Sequence, residues 1–311
     1  MHWLFVFLKG MAMGAADVVP GVSGGTIAFI TGIYERLIQA IRSINITWIK
    51  AFFSGQWALC WQRADGTFLL VLLAGIVSSI VLLARIVSWL LEHQPILTWS
   101  FFFGLIIASS LFIVRQIRVW DAGEVLLLVL GVVVAVFIGM ARPASVEVTP
   151  LYALLCGSIA ICAMILPGIS GSFILVLLGA YAAVLQAVHQ VDLTVLLPFV
   201  AGCGLGLLGF AHLLGWLLDH VHDRVLAVLT GFLVGSLYLI WPWKEVVRTY
   251  QGSSGELKPL EQVNISPGYF AEITGQDAQL LWAVLLAVAG VVLVLGLEKM
   301  STRTTVPAPA E

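Results

Sequence analysis

Two short motifs with the pattern Pro-Gly-x-Ser-Gly, at residues 20–24 and 167–171, are the first candidates for chemistry. Proline and glycine interrupt helices, so each motif predicts a turn that leads into a new helix. A helix N-terminus exposes unpaired N–H groups and carries about half a positive charge, which favours a bound phosphate. The predicted phosphate ligands are Gly21, Ser23, Gly24, Gly25 and Thr26 in the first turn, and Gly168, Ser170, Gly171 and Ser172 in the second.

A purely structural explanation of these turns remains open. Small residues also let helices pack closely around a break, without any ligand. The recurrence of the motif at matching positions of an internal repeat favours the functional interpretation over this one.

Four ionisable residues in apolar surroundings add to the candidate site. Arg85 lies in the middle of an apolar run, where an ionisable side chain is costly and by default functional. His212 is its counterpart in the repeat, and the two are predicted to neutralise a phosphate. Asp17 and Glu35 flank the first motif only, which suits an ion carrier used once per cycle. A structural role for either acid, as a partner of Arg85 or Arg36, is an equal alternative.

The sequence predicts neither a metal site nor a cofactor. Asp219, His220, His222 and Asp223 resemble a metal cluster, but polar residues are expected at a helix end in any case. The four cysteines show no paired spacing. There is no G-x-x-x-x-G-K-[ST] motif for a nucleotide.

The composition is that of a polytopic membrane protein. Hydrophobic residues make up 60% and charged residues 10% of the 311 residues, against about 45–50% and about 25% in soluble domains. The chain has 15 Lys and Arg against 17 Asp and Glu, which argues against nucleic acid as a partner.

The apolar runs predict membrane-spanning helices and two hairpins. The stretches 3–42 and 150–190 have Pro-Gly near their middle, and each would be about 60 Å long as one helix, about twice the hydrocarbon core. Each therefore predicts a re-entrant hairpin that enters and leaves by the same face. The predicted spans are 68–91, 97–115, 123–141, 193–218, 225–241 and 279–298. Residues 43–67 are expected along the membrane surface, and 242–278 as an exposed loop.

The two halves of the chain are related by an internal repeat. Residues 20–41 align without gaps to 167–188, and the alignment pairs Gly32 with Gly179. Residues 74–93 align to 201–220 in the same order along the chain. The predicted units are a first repeat at 1–141, a second at 150–299 and a disordered tail at 300–311.

One hairpin and three spans per half give an odd number of crossings, so the second repeat should be inserted upside down. This all-α fold is the inverted-topology plan of many secondary transporters. With both termini cytoplasmic, ten basic residues lie inside and four outside, as the positive-inside rule favours. The inner set is Lys9, Arg36, Arg42, Lys50, Arg63, Arg115, Arg118, Arg224, Lys299 and Arg303, and the outer set is Arg142, Lys244, Arg248 and Lys258. An alternative with eight simple spans and both termini outside places nine basic residues inside and five outside. The charge distribution therefore does not separate the two topologies, and the length of the hairpin segments favours the first.

The segments 9–38 and 162–185 resemble the two signature segments of the PopT-type polyprenyl-phosphate transporters, a bacterial inner-membrane family. The resemblance extends over nearly the whole chain. It implies a translocase, not an enzyme, that returns undecaprenyl phosphate from the outer to the cytoplasmic leaflet for cell-envelope synthesis. It also implies that the phosphate head group binds near 20–26 and 167–172. Membrane lipids are the surroundings, a proton or sodium ion is the candidate for coupling, and a homodimer is compatible with the sequence.

Two other functions compete with this one. The turns also resemble those of membrane undecaprenyl-pyrophosphate phosphatases, in which arginine follows the serine, whereas Gly24 and Gly171 follow it here. The second hairpin has no acid or base between Leu151 and His189, which argues against hydrolysis. An ion-coupled transporter of small anions is the other alternative, but the spans offer few polar residues for an aqueous pathway.

Overall fold

The structure is a computed structural model that describes residues 2–17, 23–141, 146, 148–251 and 257–304. Its first half contains α1 (His2–Asp17), α2 (Gly24–Ile30), α3 (Tyr34–Arg42), α4 (Ile46–Phe53), α5 (Trp57–Arg63), α6 (Gly66–His93), α7 (Pro95–Val114) and α8 (Ala122–Met140). The second half contains α9 (Pro150–Ile165), α10 (Gly171–Leu177), α11 (Tyr181–Gln190), α12 (Leu193–His220), α13 (His222–Leu239), β1 (Lys244–Gln251), β2 (Leu257–Asn264), α14 (Pro267–Thr274) and α15 (Leu280–Thr304).

The protein is a helical, multi-pass membrane protein. Among the described residues, α6, α7, α8 and α12 are long and apolar enough to cross a bilayer, and the bent pair α10–α11 makes up to five such spans. Helix α9 and the segment Leu280–Gly296 of α15 are shorter apolar helices. The first turn of α13 carries His222, Asp223 and Arg224, which lowers the hydropathy of a helix predicted to span.

The first arm of each hairpin is too short to cross the membrane. Helices α1 and α9 have 16 residues each, which corresponds to about 24 Å of helix against about 30 Å of hydrocarbon. The returning arms α2 and α10 have seven residues each. These lengths are compatible with the predicted re-entrant hairpins, whose depth in the bilayer stays a prediction.

Each hairpin contains a second break that the sequence analysis did not assign. Helix α2 is followed by Gly32 with a φ of +69°, and α10 is followed by Gly179 with a φ of +68°. Glycine adopts this left-handed backbone readily and commonly ends helices. Helix α11 is consequently bent by 107° from α10.

Glycines hold the first arm of each hairpin against the long helix of its own half. A Cβ added at Gly10 would lie 2.3 Å from the carbonyl oxygen of Leu72 on α6. At the equivalent Gly157, a Cβ would lie 2.2 Å from the carbonyl oxygen of Phe199 on α12. Backbones this close leave no room for a side chain, which is the usual means of tight packing between membrane helices.

Glycines also hold the two halves together. A Cβ at Gly104 of α7 would lie 1.9 Å from the carbonyl oxygen of Ala287 on α15. The equivalent Gly231 of α13 approaches the carbonyl oxygen of Leu128 on α8 in the same way, at 2.2 Å. Helix α7 of the first half corresponds to α13 of the second, and α8 corresponds to α15. The pair α7–α15 is therefore equivalent to the pair α13–α8. This is the pairing expected of a two-fold repeat, while the inverted insertion in the bilayer stays a prediction.

The segment 242–278 is more ordered than the predicted exposed loop. Strands β1 and β2 form an antiparallel hairpin. The indole of Trp241 donates to the carbonyl of Ile265 at 2.8 Å, and that of Trp243 to the carbonyl of Ala278 at 3.0 Å. Trp243 is buried in an apolar cluster with Ile96 of α7. At the other end of the chain, α15 continues to Thr304, into the predicted disordered tail, and 305–311 lie outside the described residues.

A test of this packing compares two glycines of α12. A Cβ at Gly202 would lie 2.0 Å from the carbonyl oxygen of Leu154, whereas nothing lies within 4 Å of a Cβ at Gly204. We expect Gly202→Ala to lower the free energy of unfolding by roughly 1–3 kcal/mol through overpacking. Gly204→Ala should leave it unchanged or raise it by up to about 1 kcal/mol, because alanine favours helix. Thermal unfolding in detergent gives both values, and equal losses would refute the close approach.

Candidate site at the paired turns

The two Pro-Gly-x-Ser-Gly turns contact each other directly. The backbone N–H of Gly168 donates to Thr26 Oγ1 at 3.1 Å. Ser23 Oγ donates to the carbonyl of Met164 at 3.0 Å. A Cβ at Gly25 would lie 2.5 Å from the carbonyl oxygen of Ile165. Residues about 140 positions apart along the chain therefore contact each other, and the two copies of the repeated motif lie side by side.

In the described part of the first turn, a hydrogen bond joins Ser23 to the start of α2. Ser23 caps α2 and accepts from the N–H of Gly25 at 3.0 Å, as serine commonly does at this position. All seven residues of α2 are buried, and Ser23 and Thr26 are almost inaccessible. Gly21, a predicted ligand, lies outside the described residues.

Opposite charges from α1 hold the two ends of α2. The N–H of Gly24 donates to Asp17 Oδ1 at 2.6 Å, and a Cβ at Gly24 would collide with that carboxylate. Lys9 Nζ donates at 2.6 Å to the carbonyl of Thr31, the C-cap residue of α2. An anion at the N-terminus and a cation at the C-terminus both stabilise the helix dipole. Asp17 thus lies where the sequence predicts an incoming phosphate.

The second turn lacks this internal anion. Met164 stands at the position that corresponds to Asp17, and Ser170 makes no side-chain cap to α10. Ser170 Oγ and Ser172 Oγ instead form a hydrogen bond to each other at 2.9 Å. Only Gly171 and Ile174 are buried in α10. Ser172 is exposed, whereas Gly168, Ser170 and Gly171 are buried, so Ser172 is the accessible donor of this turn.

A neutral group replaces Lys9 in the second half. The hydroxyl of Tyr152 donates at 2.7 Å to the carbonyl of Leu178, the C-cap residue of α10. Leu178 corresponds to Thr31 in the repeat. The sequence analysis missed both Lys9 and Tyr152. Lys9 and Asp17 are about two helical turns apart on α1. This spacing was the available signal that both side chains could contact one neighbouring element.

The structure does not bring Arg85, His212 or Glu35 to the turns. Arg85 is exposed on α6 and forms no ion pair or hydrogen bond with any described residue. The ring of His212 is hydrogen-bonded through Nδ1 to the carbonyl of Leu208 in its own helix, at 2.7 Å. Glu35 Oε1 lies 3.3 Å from His222 Nε2, at the start of α13. Neither acid pairs with Arg85 here.

The cluster at 219–223 is divided among separate partners. Asp219 pairs with Arg42, and His222 lies between Glu35 and Asp223. Asp223 Oδ2 accepts from the backbone N–H groups of Arg118 and Val119 at 3.2 and 3.0 Å. No group of three or more metal-ligating side chains occurs in the part of the chain that the structure describes.

The chain is similar in sequence to a family of known membrane transporters. Residues 13–258 match the undecaprenyl phosphate translocase-like family. A polyprenyl-phosphate transporter of Vibrio cholerae serotype O1 is 50% identical over 97% of this chain and 98% of its own length. A polyprenyl-phosphate transporter of Staphylococcus aureus is 31% identical over 77% of this chain and 86% of its own length. No solved structure matches significantly.

Proposed function

Because the chain belongs to the undecaprenyl phosphate translocase-like family, we propose that it transports polyprenyl phosphate across the bacterial inner membrane. The direction we propose is from the outer to the cytoplasmic leaflet, which returns the lipid carrier to cell-envelope synthesis. Both relatives are named as transporters rather than enzymes, and this chain is not an enzyme either. The basic residues favour a cytoplasmic location for both termini.

The contact between the two turns is the observation that supports this function most. A phosphate cannot cross hydrocarbon unaided, since an unpaired charge there costs many kcal/mol. Two hairpins that turn inside the membrane and meet through Thr26 and Gly168 offer N–H and hydroxyl donors at that depth. The isoprenoid tail can remain in lipid while the head group is sheltered.

The second turn is the better candidate for the head group. Its Ser170 and Ser172 hydroxyls bond only to each other, and Gly171 begins a helix without a capping carboxylate. We assign Gly168, Ser170, Gly171 and Ser172 as the phosphate site. Ser23, Gly24, Gly25 and Thr26 of the first turn form the opposing wall, where Asp17 competes with the phosphate. Gly21, the remaining predicted ligand, stays a prediction from the sequence.

The transport assay uses proteoliposomes that contain only this protein and polyprenyl phosphate. A soluble phosphatase added outside consumes only outer-leaflet head groups, so transfer appears as consumption of the inner pool. Replacing both serines (Ser170→Ala with Ser172→Ala) should slow transfer at least about ten-fold, since each hydrogen bond to a charged group contributes about 1.5–3 kcal/mol.

Ser100→Ala is the matched control for the serine pair. Its hydroxyl is buried but bonds to the carbonyl of Ile96 in its own helix, away from the turns. Transfer unaffected by the double replacement would remove the second turn from the site. Phosphate release without the added phosphatase would instead favour the phosphatase alternative, and uptake of small anions without lipid transfer would favour the small-anion carrier.

Neither Arg85 nor His212 lies at the turns in this structure. We propose that both contact the head group in a different conformation of the protein. Arg85 is exposed on α6, and the half-buried His212 occupies the corresponding position of α12. Arg85→Gln should weaken binding of a short-chain prenyl phosphate about ten-fold, with an unchanged unfolding temperature. Arg63→Gln, which removes another exposed arginine, is the control. Wild-type affinity in folded Arg85→Gln protein would exclude this role.

Asp17 is the stronger of the two candidates for ion coupling. Its carboxylate occupies the N-terminus of α2, so a bound proton or sodium ion would weaken its hold on the Gly24 N–H and admit phosphate. Glu35 is exposed and pairs with His222 instead. Asp17→Asn keeps an acceptor for Gly24, so the fold should persist, but transfer should no longer respond to an imposed pH or sodium gradient. Glu35→Gln should retain that response, and the opposite pattern would assign coupling to Glu35.

A further inference from the structure

A polar cavity lies at the face where α7 and α12 end and where α8 and α13 begin. Its volume is ≈ 630 Å³, within the range of about 300–1,000 Å³ typical of ligand sites. Its walls come from both halves of the chain. The polar lining residues are Arg118, Glu124, His220, His222, Asp223 and Arg224.

The acidic residues of this cavity are engaged in the fold. Asp223 accepts from the two backbone N–H groups of the α7–α8 connection. Glu124 is buried, and its Oε2 accepts from the N–H of Asp121 at 3.2 Å in a capping box. His222 lies between two carboxylates, those of Asp223 and Glu35. These acids therefore have donors already and leave the basic groups to an incoming ligand.

The basic residues of the cavity are largely unengaged. Arg118 is exposed, and its guanidinium forms no ion pair with any described residue. Arg224 Nε lies 3.6 Å from Glu124 Oε1, a long contact, with its side chain 57% exposed. His220 Nδ1 donates to the carbonyl of Trp216 at 2.8 Å, so Nε2 can donate to an anion when the ring is protonated. Two guanidinium groups and an imidazole suit an anion with several oxygens, because the planar arginine fork matches phosphate geometry.

The fold does not require these residues to make the connection between its helices. In the first half, the same connection runs from His93 through Gln94, Pro95, Ile96 and Leu97. The repeat aligns Ile96 with Asp223 and Leu97 with Arg224. Ile96 is buried in the apolar cluster with Trp243, so the corresponding connection of the first half is packed against apolar side chains. His220 has a counterpart in His93, but Asp223 and Arg224 align with apolar residues, so the charge at 223–224 is particular to the second half and indicates a function beyond the turn itself.

From these observations we propose that this cavity is a second phosphate site, separate from the paired turns, which binds a phosphate monoester dianion through Arg118, Arg224 and His220. The ligand is the head group of a lipid at that membrane surface or free phosphate. The proposal does not depend on transfer between leaflets, so it can fail while the proposed function stands.

The test follows the imidazole signals of ¹³C-histidine-labelled protein in detergent by NMR, with His220 assigned from His220→Gln. Inorganic phosphate and farnesyl phosphate are titrated separately. We expect a saturable shift of the His220 signal, with a dissociation constant that rises about ten-fold in Arg118→Gln. Arg115→Gln removes the charge of an exposed arginine that does not line the cavity. It should change the dissociation constant by no more than about two-fold, because salt screens an exposed charge that does not touch the ligand.

The two probes distinguish the sources of the ligand. A response to farnesyl phosphate alone supports a lipid head group, and equal responses to both probes support free phosphate. The absence of a saturable shift with either probe would overturn the proposal. Equal effects of Arg118→Gln and Arg115→Gln would overturn it as well, since only general charge would then be involved.

Discussion

Helices that end inside a membrane leave backbone N–H and C=O groups with no water to satisfy them, and the rest of this structure depends on how those groups are paired. The first hairpin uses full charges, because Asp17 binds the N-terminus of α2 and Lys9 binds its C-terminus. The second uses neutral groups, and Tyr152 takes the place of the lysine. The turns then complete each other through Thr26 and Gly168.

The two halves have nearly the same helix packing, but their turns differ in the groups that bind the ends of α2 and α10. The helix pairs map onto one another when the halves are exchanged, and equivalent glycines make the close approaches. A buried α2 held at both ends suits a fixed wall, while the less buried α10 with its Ser170–Ser172 pair suits a binding surface. In the proposed site, a phosphate at the second turn would lie opposite the Asp17 carboxylate at the first, and the two anions would repel each other. Repulsion of this kind is a direct physical route to coupling, since neutralising the carboxylate favours the phosphate.

Charged residues in this protein fall into two groups with different surroundings. Lys9 and Asp17 are withdrawn from solvent and bonded to backbone. The group around His222 lies at a face of the helical bundle, where the ends of α7, α8, α12 and α13 meet. A head group that moves between the membrane centre and this face would pass from hydrogen-bond donors to arginine side chains. Arginine is the stronger phosphate ligand, and its cost in hydrocarbon makes such a face the favourable place for it.

The amino-acid sequence by itself determined the membrane class, the two broken hairpins, the repeat and the family, because hydropathy, helix-breaking residues and the recurrence of a motif are local properties. It also predicted Ser23, Thr26 and Gly168 as phosphate ligands, which stays a prediction. Only the tertiary structure decided that Asp17 caps α2, that Lys9 and Tyr152 are equivalent caps, and that Arg85 lies apart from the turns. The packing also ordered β1, β2 and α14 from a segment whose composition is that of a loop. The partner of a polar group depends on which helices become neighbours in the fold. Periodicity and composition do not determine which helices are neighbours.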